Sequence, residues 1–298
     1  MNNLPAEKEN SLDSEVSRPD QGEYLNPDDQ LIYCSKCHTP KQMWIEPNIL
    51  FSESRKVPVR CACRKKEQEM AQQAKEQQER EDQISRLYQT SCFPAGLREC
   101  TFPLAEPYHQ DVLVYAKDYA EKLIEDPAFS KGILFYGPPG TGKTYTAACI
   151  ANHLIQSLQP VLHASVGYIL SEYNACKSFS ETAKNPADYL NDLLKYRLII
   201  LDDLGSEYQS AYQSSLLFEV VNFLDIHQKP LVVTTNLSPK DLLHPEDLSR
   251  QRVYDRIIGR CIPVPVLGED LRIRTAKERR ERERERIKNE AEICSSDE

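Results

Sequence analysis

The run GPPGTGKT at residues 137–144 constrains this chain more than any other segment. It satisfies the pattern G-x-x-x-x-G-K-[ST] in full, with Gly137, Gly142, Lys143 and Thr144 in the four fixed places. Such a loop wraps tightly, and its backbone N–H groups point inward at phosphate oxygens. Pro138, Pro139, Gly140 and Thr141 fill the wrap, and Tyr145 follows it. Lys143 brings a point charge to the outer phosphates of a nucleoside triphosphate, and the Thr144 hydroxyl is a ligand for Mg²⁺. The helix starting near Lys143 adds its positive N-terminal end. The flanks suit this chemistry. KGILFY (131–136) is an apolar run that predicts a buried strand, and TYTAACIANHLIQSL (144–158) has helical periodicity.

A second apolar strand, RLIILDDLGSE (197–207), ends in two acids. In P-loop enzymes the first, here Asp202, holds Mg²⁺ through water, and the second, here Asp203, polarises the attacking water. Three further strands are predicted at PVLHAS (160–165), KPLVVTTN (229–236) and CIPVPVL (261–267), the last placed at a sheet edge by its prolines. Helices are predicted over 110–126, 166–178, 186–196, 209–227 and 249–259. Alternating strands and helices predict a three-layer α/β domain around a parallel sheet. Ligands of such sheets bind at the C-terminal ends of the strands, where the loop, the acid pair and Asn236 lie.

The motifs GPPGTGKT, LIILDDLGSE, LVVTTNLSP, RVYDRIIGRC and GEDLR, in that order, resemble the AAA+ ATPases. They are more closely similar to bacterial helicase loaders of the DnaC/DnaI type and their IstB-like transposition relatives. The resemblance runs from about Phe102 to Arg272. It implies that Asn236 is the sensor orienting the hydrolytic water. It also implies that Arg256 is an arginine finger reaching a neighbouring subunit's nucleotide, and that Arg272 is the second sensor. Taken alone, Asn236 also suits a turn cap before Ser238 and Pro239, and arginines on helices are usually solvated. Two departures from the family stand out. A charged tail follows Arg272 where the wider superfamily carries a full helical lid, and Asp203 stands where many AAA+ enzymes have Glu. The shorter acid implies slow hydrolysis.

The chain has 298 residues and a formal net charge of -9, so a nucleic-acid site would have to be a local patch. No apolar run reaches membrane-spanning length, and ten cysteines beside a P-loop fit a reducing cytoplasm. Residues 1–30 carry eight acids against two bases and predict a disordered acidic tail. Residues 31–63 contain Cys34 and Cys37 at C-x-x-C spacing and Cys61 and Cys63 after a stretch able to form a hairpin. Four thiolates in two close pairs suit tetrahedral Zn²⁺, with His38 as an alternative ligand. Residues 64–90 predict a solvated connecting helix, 91–275 the ATPase domain, and 276–298 a charged helical tail.

The segment VGYILSEYNACKSF (166–179) mixes aromatics with a cation. Lys177 and Phe179 are the candidate single-strand DNA contacts, since bases stack on rings while a lysine meets phosphate. Its Tyr168, Ile169 and Leu170 equally suit packing against the sheet. The resemblance implies an ATP-dependent loader of a DnaB-type replicative helicase onto single-stranded DNA, acting as an ATP-dependent homo-oligomer. An IstB-like transposition helper and an ATP-switched adaptor with little hydrolysis are the alternatives.

Overall fold

The computed structural model describes residues 19–47, 52–105, 110–177, 185–205, 210–245, 248–274, 276–277, 280–284 and 286. The chain divides into two compact units, Met1–Arg80 and Glu81–Glu298.

In the first unit, β1 (Glu23–Leu25) pairs antiparallel with β2 (Ile32–Cys34), and β3 (Gln42–Ile45) pairs antiparallel with β4 (Arg55–Pro58). The second pair is the hairpin expected between the cysteine pairs. The first pair corrects the expected tail of 1–30, because residues 19–30 belong to the folded unit. Composition averaged over thirty residues hides the local signals. Gly22 turns at φ 91°, Asp29 accepts a hydrogen bond from the Tyr33 hydroxyl at 2.7 Å, and Glu23 pairs with Lys41. Among the described residues, the buried apolar side chains here are Leu31, Ile32, Cys34 and Cys61. So small a core cannot offset the conformational entropy of ordering the segment without a further crosslink.

Helix α1 (Ala62–Thr90) buries no residue fully, as its polar composition predicts. The boundary between units falls inside it, after Arg80, not at its end. The cause is a short apolar stripe: Ile84, Leu87 and Tyr88 pack on the core of the second unit at i, i+3, i+4 spacing. Within that unit the Tyr88 hydroxyl donates to Asn152 Oδ1 at 2.7 Å, and Asn152 Nδ2 donates to the Leu97 and Cys100 carbonyls.

The second unit carries a five-stranded sheet of β5 (Gly132–Tyr136), β6 (Val161–Ser165), β7 (Leu198–Leu204), β8 (Leu231–Thr235) and β9 (Cys261–Pro265). Its order is β6-β7-β8-β5-β9 and every pairing is parallel. Helices connect the strands: α2 (Gln110–Glu125), α3 (Lys143–Gln156), α4 (Val166–Cys176), α5 (Pro186–Leu193), α6 (Ala211–Ile226), α7 (Pro239–Leu243) and α8 (Leu248–Arg260). Alternate strand residues feed two cores. Leu134, Ile199, Leu201 and Val233 pack with α4, α6 and α8 on one face. Ile133, Phe135, Ile200 and Val232 pack with α2 and α3 on the other. Burial on both faces explains why these strands are continuous apolar runs. Strand β9 lies at the edge, as Pro263 and Pro265 require. The three-layer α/β core expected from the sequence is the fold observed.

Candidate functional site

The chain leaves β5 and enters the glycine loop, and the first residue of α3 is Lys143. Gly140 has φ 79°, the left-handed region that favours glycine, and a Cβ there would meet the Asp270 carboxylate at 2.1 Å and force it to move. Thr141 is buried, and its hydroxyl donates to the Pro138 carbonyl at 3.0 Å. The Lys143 ammonium donates to the carbonyls of Gly137 at 2.9 Å and Pro138 at 2.6 Å. Burial pulls that ammonium below its ordinary value, and the charges of Asp203 and Asp202 oppose the shift.

Strand β7 delivers the acid pair beside the loop. The Thr144 hydroxyl donates to Asp202 Oδ1 at 2.9 Å, and the Thr234 hydroxyl donates to the same oxygen at 2.6 Å. Burial pushes the Asp202 carboxyl up, but the neighbouring His163 ring and the hydroxyls of Thr234 and Thr144 hold it below its ordinary value. Asp203 sits in the left-handed region at φ 63°, where the β7–β8 register shifts. Its N–H donates to Thr234 Oγ1 at 2.9 Å, and Asn236 Nδ2 donates to its Oδ1 at 3.3 Å. One cavity of about 670 Å³ is lined by Pro139, Gly140, Gly142, Lys143, Thr144, Tyr145, Asp202, Asp203, Asn236 and Arg272. The Thr144 hydroxyl is placed to ligate octahedral Mg²⁺, and Asp202, hydrogen-bonded to it, is placed to hold that ion through water.

Arg272 belongs to this chain's own cavity because the stretch after β9 folds back on the loop. The Val266 N–H donates to the Tyr136 carbonyl at 2.8 Å, and the Leu271 N–H donates to the Gly140 carbonyl at 3.0 Å. Asp270 Oδ1 accepts from the Arg272 N–H at 2.9 Å. Arg256 is absent from the cavity walls. It stands on α8, half-exposed, with Nη1 3.1 Å from Asp225 Oδ2, while Arg260 holds the other oxygen of that carboxylate.

The candidate DNA segment includes both buried and exposed residues. The Lys177 ammonium pairs with Glu219 at 2.7 Å, and the Tyr173 hydroxyl donates to the same oxygen. Its charge is therefore already matched. Ile169, Leu170 and Tyr173 are buried, whereas Tyr168 is exposed. Phe179 lies outside the described residues, as do Ser206 and Glu207 of the second motif.

In the first unit the thiol sulfurs of Cys34, Cys37, Cys61 and Cys63 all lie within 4.8 Å of one another. Tetrahedral zinc thiolates place their sulfurs about 3.8 Å apart. The Cys34–Cys63 and Cys61–Cys63 separations of 3.6 and 3.3 Å approach that figure. The Thr39 hydroxyl, together with backbone N–H groups, holds the Cys37 thiol down at about 5. The hydrogen-bonded thiols of Cys61, Cys34 and Cys37 push Cys63 up to about 12. Four such groups ionise together only around a cation, which zinc would supply. His38, at φ 52°, turns its Nδ1 to within 3.3 Å of the Tyr24 hydroxyl, and the four-sulfur group is complete without it.

Two further neighbours of the acid pair are Thr234 and His163, to which the sequence motifs assign no role. The second had a signal, a lone histidine inside an apolar strand.

A family model described as IstB-like ATP binding protein matches residues 109–279. The replicative helicase loader DnaC of Buchnera aphidicola subsp. Acyrthosiphon pisum is 29% identical over 171 residues, which cover 55% of this chain and 66% of that protein. The loader of the same name from Escherichia coli K12 is 28% identical over 147 residues, covering 49% and 57% respectively. The chain thus spans just under two thirds of the first relative and little more than half of the second. Among solved structures, a DnaI structure has TM-score 0.48 at 21% identity, covering 60% of this chain and 94% of that one. A DnaC helicase loader structure has TM-score 0.49 at 17% identity, covering 58% and 100%. Among the described residues no helix is long and apolar enough to cross a membrane.

Proposed function

This chain belongs to the IstB-like ATP binding proteins, and from that premise we propose that it loads a DnaB-type replicative helicase onto single-stranded DNA, using ATP, as replication initiates. The observation that carries the ATP half is the Thr144–Asp202 pair at 2.9 Å, set in one cavity with Lys143, Asp203, Asn236 and Arg272. The loop amides and Lys143 hold the outer phosphates. Thr144 and Asp202 hold Mg²⁺, which neutralises phosphate charge when bound. Asp203 takes the proton of the attacking water, and Asn236, hydrogen-bonded to Asp203, fixes that acid's direction. Arg272 meets the growing phosphoryl charge from within the chain. Arg256, outside the cavity, meets it in a neighbouring subunit of a homo-oligomer.

The loader half rests on the curated relatives whose names say replicative helicase loader. The cysteine unit grips the helicase with zinc as its crosslink, and the ATPase unit binds the DNA strand in the cytoplasm. The exposed Trp44 and Met43 of β3 supply an apolar contact outside the ATPase unit. The test is helicase deposition on a closed single-stranded circle, with ATP turnover measured alongside, with and without the DNA. Deposition that requires this protein and ATP supports the proposal. Turnover without any helicase transfer sinks the loader reading and leaves an ATPase of another kind.

A further inference from the structure

His163 lies outside the motifs yet reaches the acid pair, and it does so at a cost. It lies on β6, 1% exposed, and neither ring nitrogen has a hydrogen-bond partner among the described residues. Leaving buried polar atoms unpaired is destabilising, and an apolar side chain of the same shape would avoid it. The ring is held firmly. Phe93 meets it edge-on at 5.1 Å, and the backbone N–H of His163 donates to the Ser91 carbonyl at 2.9 Å, which fixes the main chain that carries the ring. Its Nε2 points at Asp202 Oδ2 from 3.8 Å, slightly beyond direct hydrogen-bond length. The other carboxylate oxygen, Oδ1, is the one that Thr144 and Thr234 engage.

We propose that His163 is a positioning residue for Asp202, donating Nε2–H to Oδ2 so that Oδ1 is kept facing Thr144 and the nucleotide-bound Mg²⁺. The inference rests on Asp202 being a Mg²⁺ ligand through water. A carboxylate turns easily about its last torsion, which has broad wells. A small turn closes the gap to His163. Without a donor on Oδ2, the carboxylate swings between its two oxygens and presents the metal with a moving ligand. Thr234 alone does not prevent this, since it holds Oδ1 and leaves Oδ2 free to rotate around it. Loss of an outer partner that orients a metal ligand typically lowers metal affinity 10–100-fold.

The experiment compares His163→Phe, His163→Gln and Asp202→Asn in the full chain. Nucleotide affinity is measured in EDTA and then across a Mg²⁺ titration, with Mn²⁺ spectroscopy on the nucleotide complex. His163→Phe keeps the ring against Phe93 and removes the donor. It is expected to keep the metal-free nucleotide affinity, to raise the Mg²⁺ midpoint about tenfold, and to broaden the bound Mn²⁺ signal. His163→Gln restores an N–H near the same place and is expected to recover most of the midpoint. An unchanged midpoint in His163→Phe overturns the proposal, as does an equal loss of metal-free and metal-dependent affinity, which marks a packing role. If Asp202→Asn abolishes the Mg²⁺ dependence while His163→Phe leaves it intact, only this inference falls. If Asp202→Asn keeps that dependence, the reading of Asp202 as ligand falls with it.

Discussion

Asp203 occupies a backbone conformation that few side chains adopt without help, and its neighbours show what maintains it. Its φ of 63° is a region where Asp and Asn are enriched, and its N–H is held by Thr234. Aspartate therefore suits the position conformationally as well as chemically, while a glutamate would reach further into the cavity. Asp203→Asn preserves the turn and removes the base. We expect ATP binding to persist and hydrolysis to fall roughly 100-fold, read by single-turnover assay; native turnover in this variant would remove Asp203 from the mechanism. Lys143→Ala is expected to fail earlier, at nucleotide binding itself, in a filter-binding assay. The motif residues were legible because their spacing along the chain is the chemistry. Thr234 and His163 were not, because their roles depend on which strands lie side by side, and β6-β7-β8 adjacency is a tertiary fact.

At the scale of elements, apolar runs and helical periodicity located all five strands of the sheet to within a few residues, since burial on both faces makes them conspicuous. The β1–β2 pair escaped notice because three-residue strands have no periodicity to detect. The last turns of α1 were equally quiet, with Ile84, Leu87 and Tyr88 at the end of a largely polar helix of 29 residues. Their docking is fixed by Asn152, whose side chain is 1% exposed and bonds Tyr88, Leu97 and Cys100. Asn152→Ala should strip these groups of partners and lower stability by about 2 kcal/mol, with Tyr88→Phe costing about 1 kcal/mol. Equilibrium urea unfolding measures both, and equal midpoints for all three proteins would refute the docking role. Gly132 is a different constraint. A Cβ there would meet the Leu231 carbonyl oxygen at 2.5 Å and Cys261 Sγ at 2.6 Å, where β5 is flanked by β8 and β9. Gly132→Ala is expected to cost about 1–3 kcal/mol through overpacking, and a thermal midpoint equal to the parent's would contradict it.

Over the whole molecule, two units of unequal self-sufficiency share one chain. The ATPase unit has two continuous cores, one on each sheet face, and every residue assigned to the nucleotide lies in it. The cysteine unit has four buried apolar side chains among its described residues, two of them cysteines of the cluster. Its stability should therefore depend on the metal while nucleotide binding does not. Trp44 is the only tryptophan in the chain and sits on β3 of that unit, so its emission reports there alone. Native-purified protein is expected to hold one zinc per chain. Chelation should release it and shift Trp44 emission to the red, with ATP affinity unaltered. The pH dependence follows in sign from Cys37, whose folded thiol is held at about 5, below its ordinary value. A depressed folded value gives stabilisation that is complete above the ordinary thiol range and is lost as pH falls toward 5. Protons displace zinc in the same direction, so emission should redden on acidification and recover on return to neutral pH with added zinc. Cys61→Ser should show the red-shifted spectrum at every pH and still bind ATP. Protein that carries no zinc, or whose Trp44 emission ignores its removal, would mean that the four sulfurs are simply reduced thiols and that this unit is held by something other than a metal.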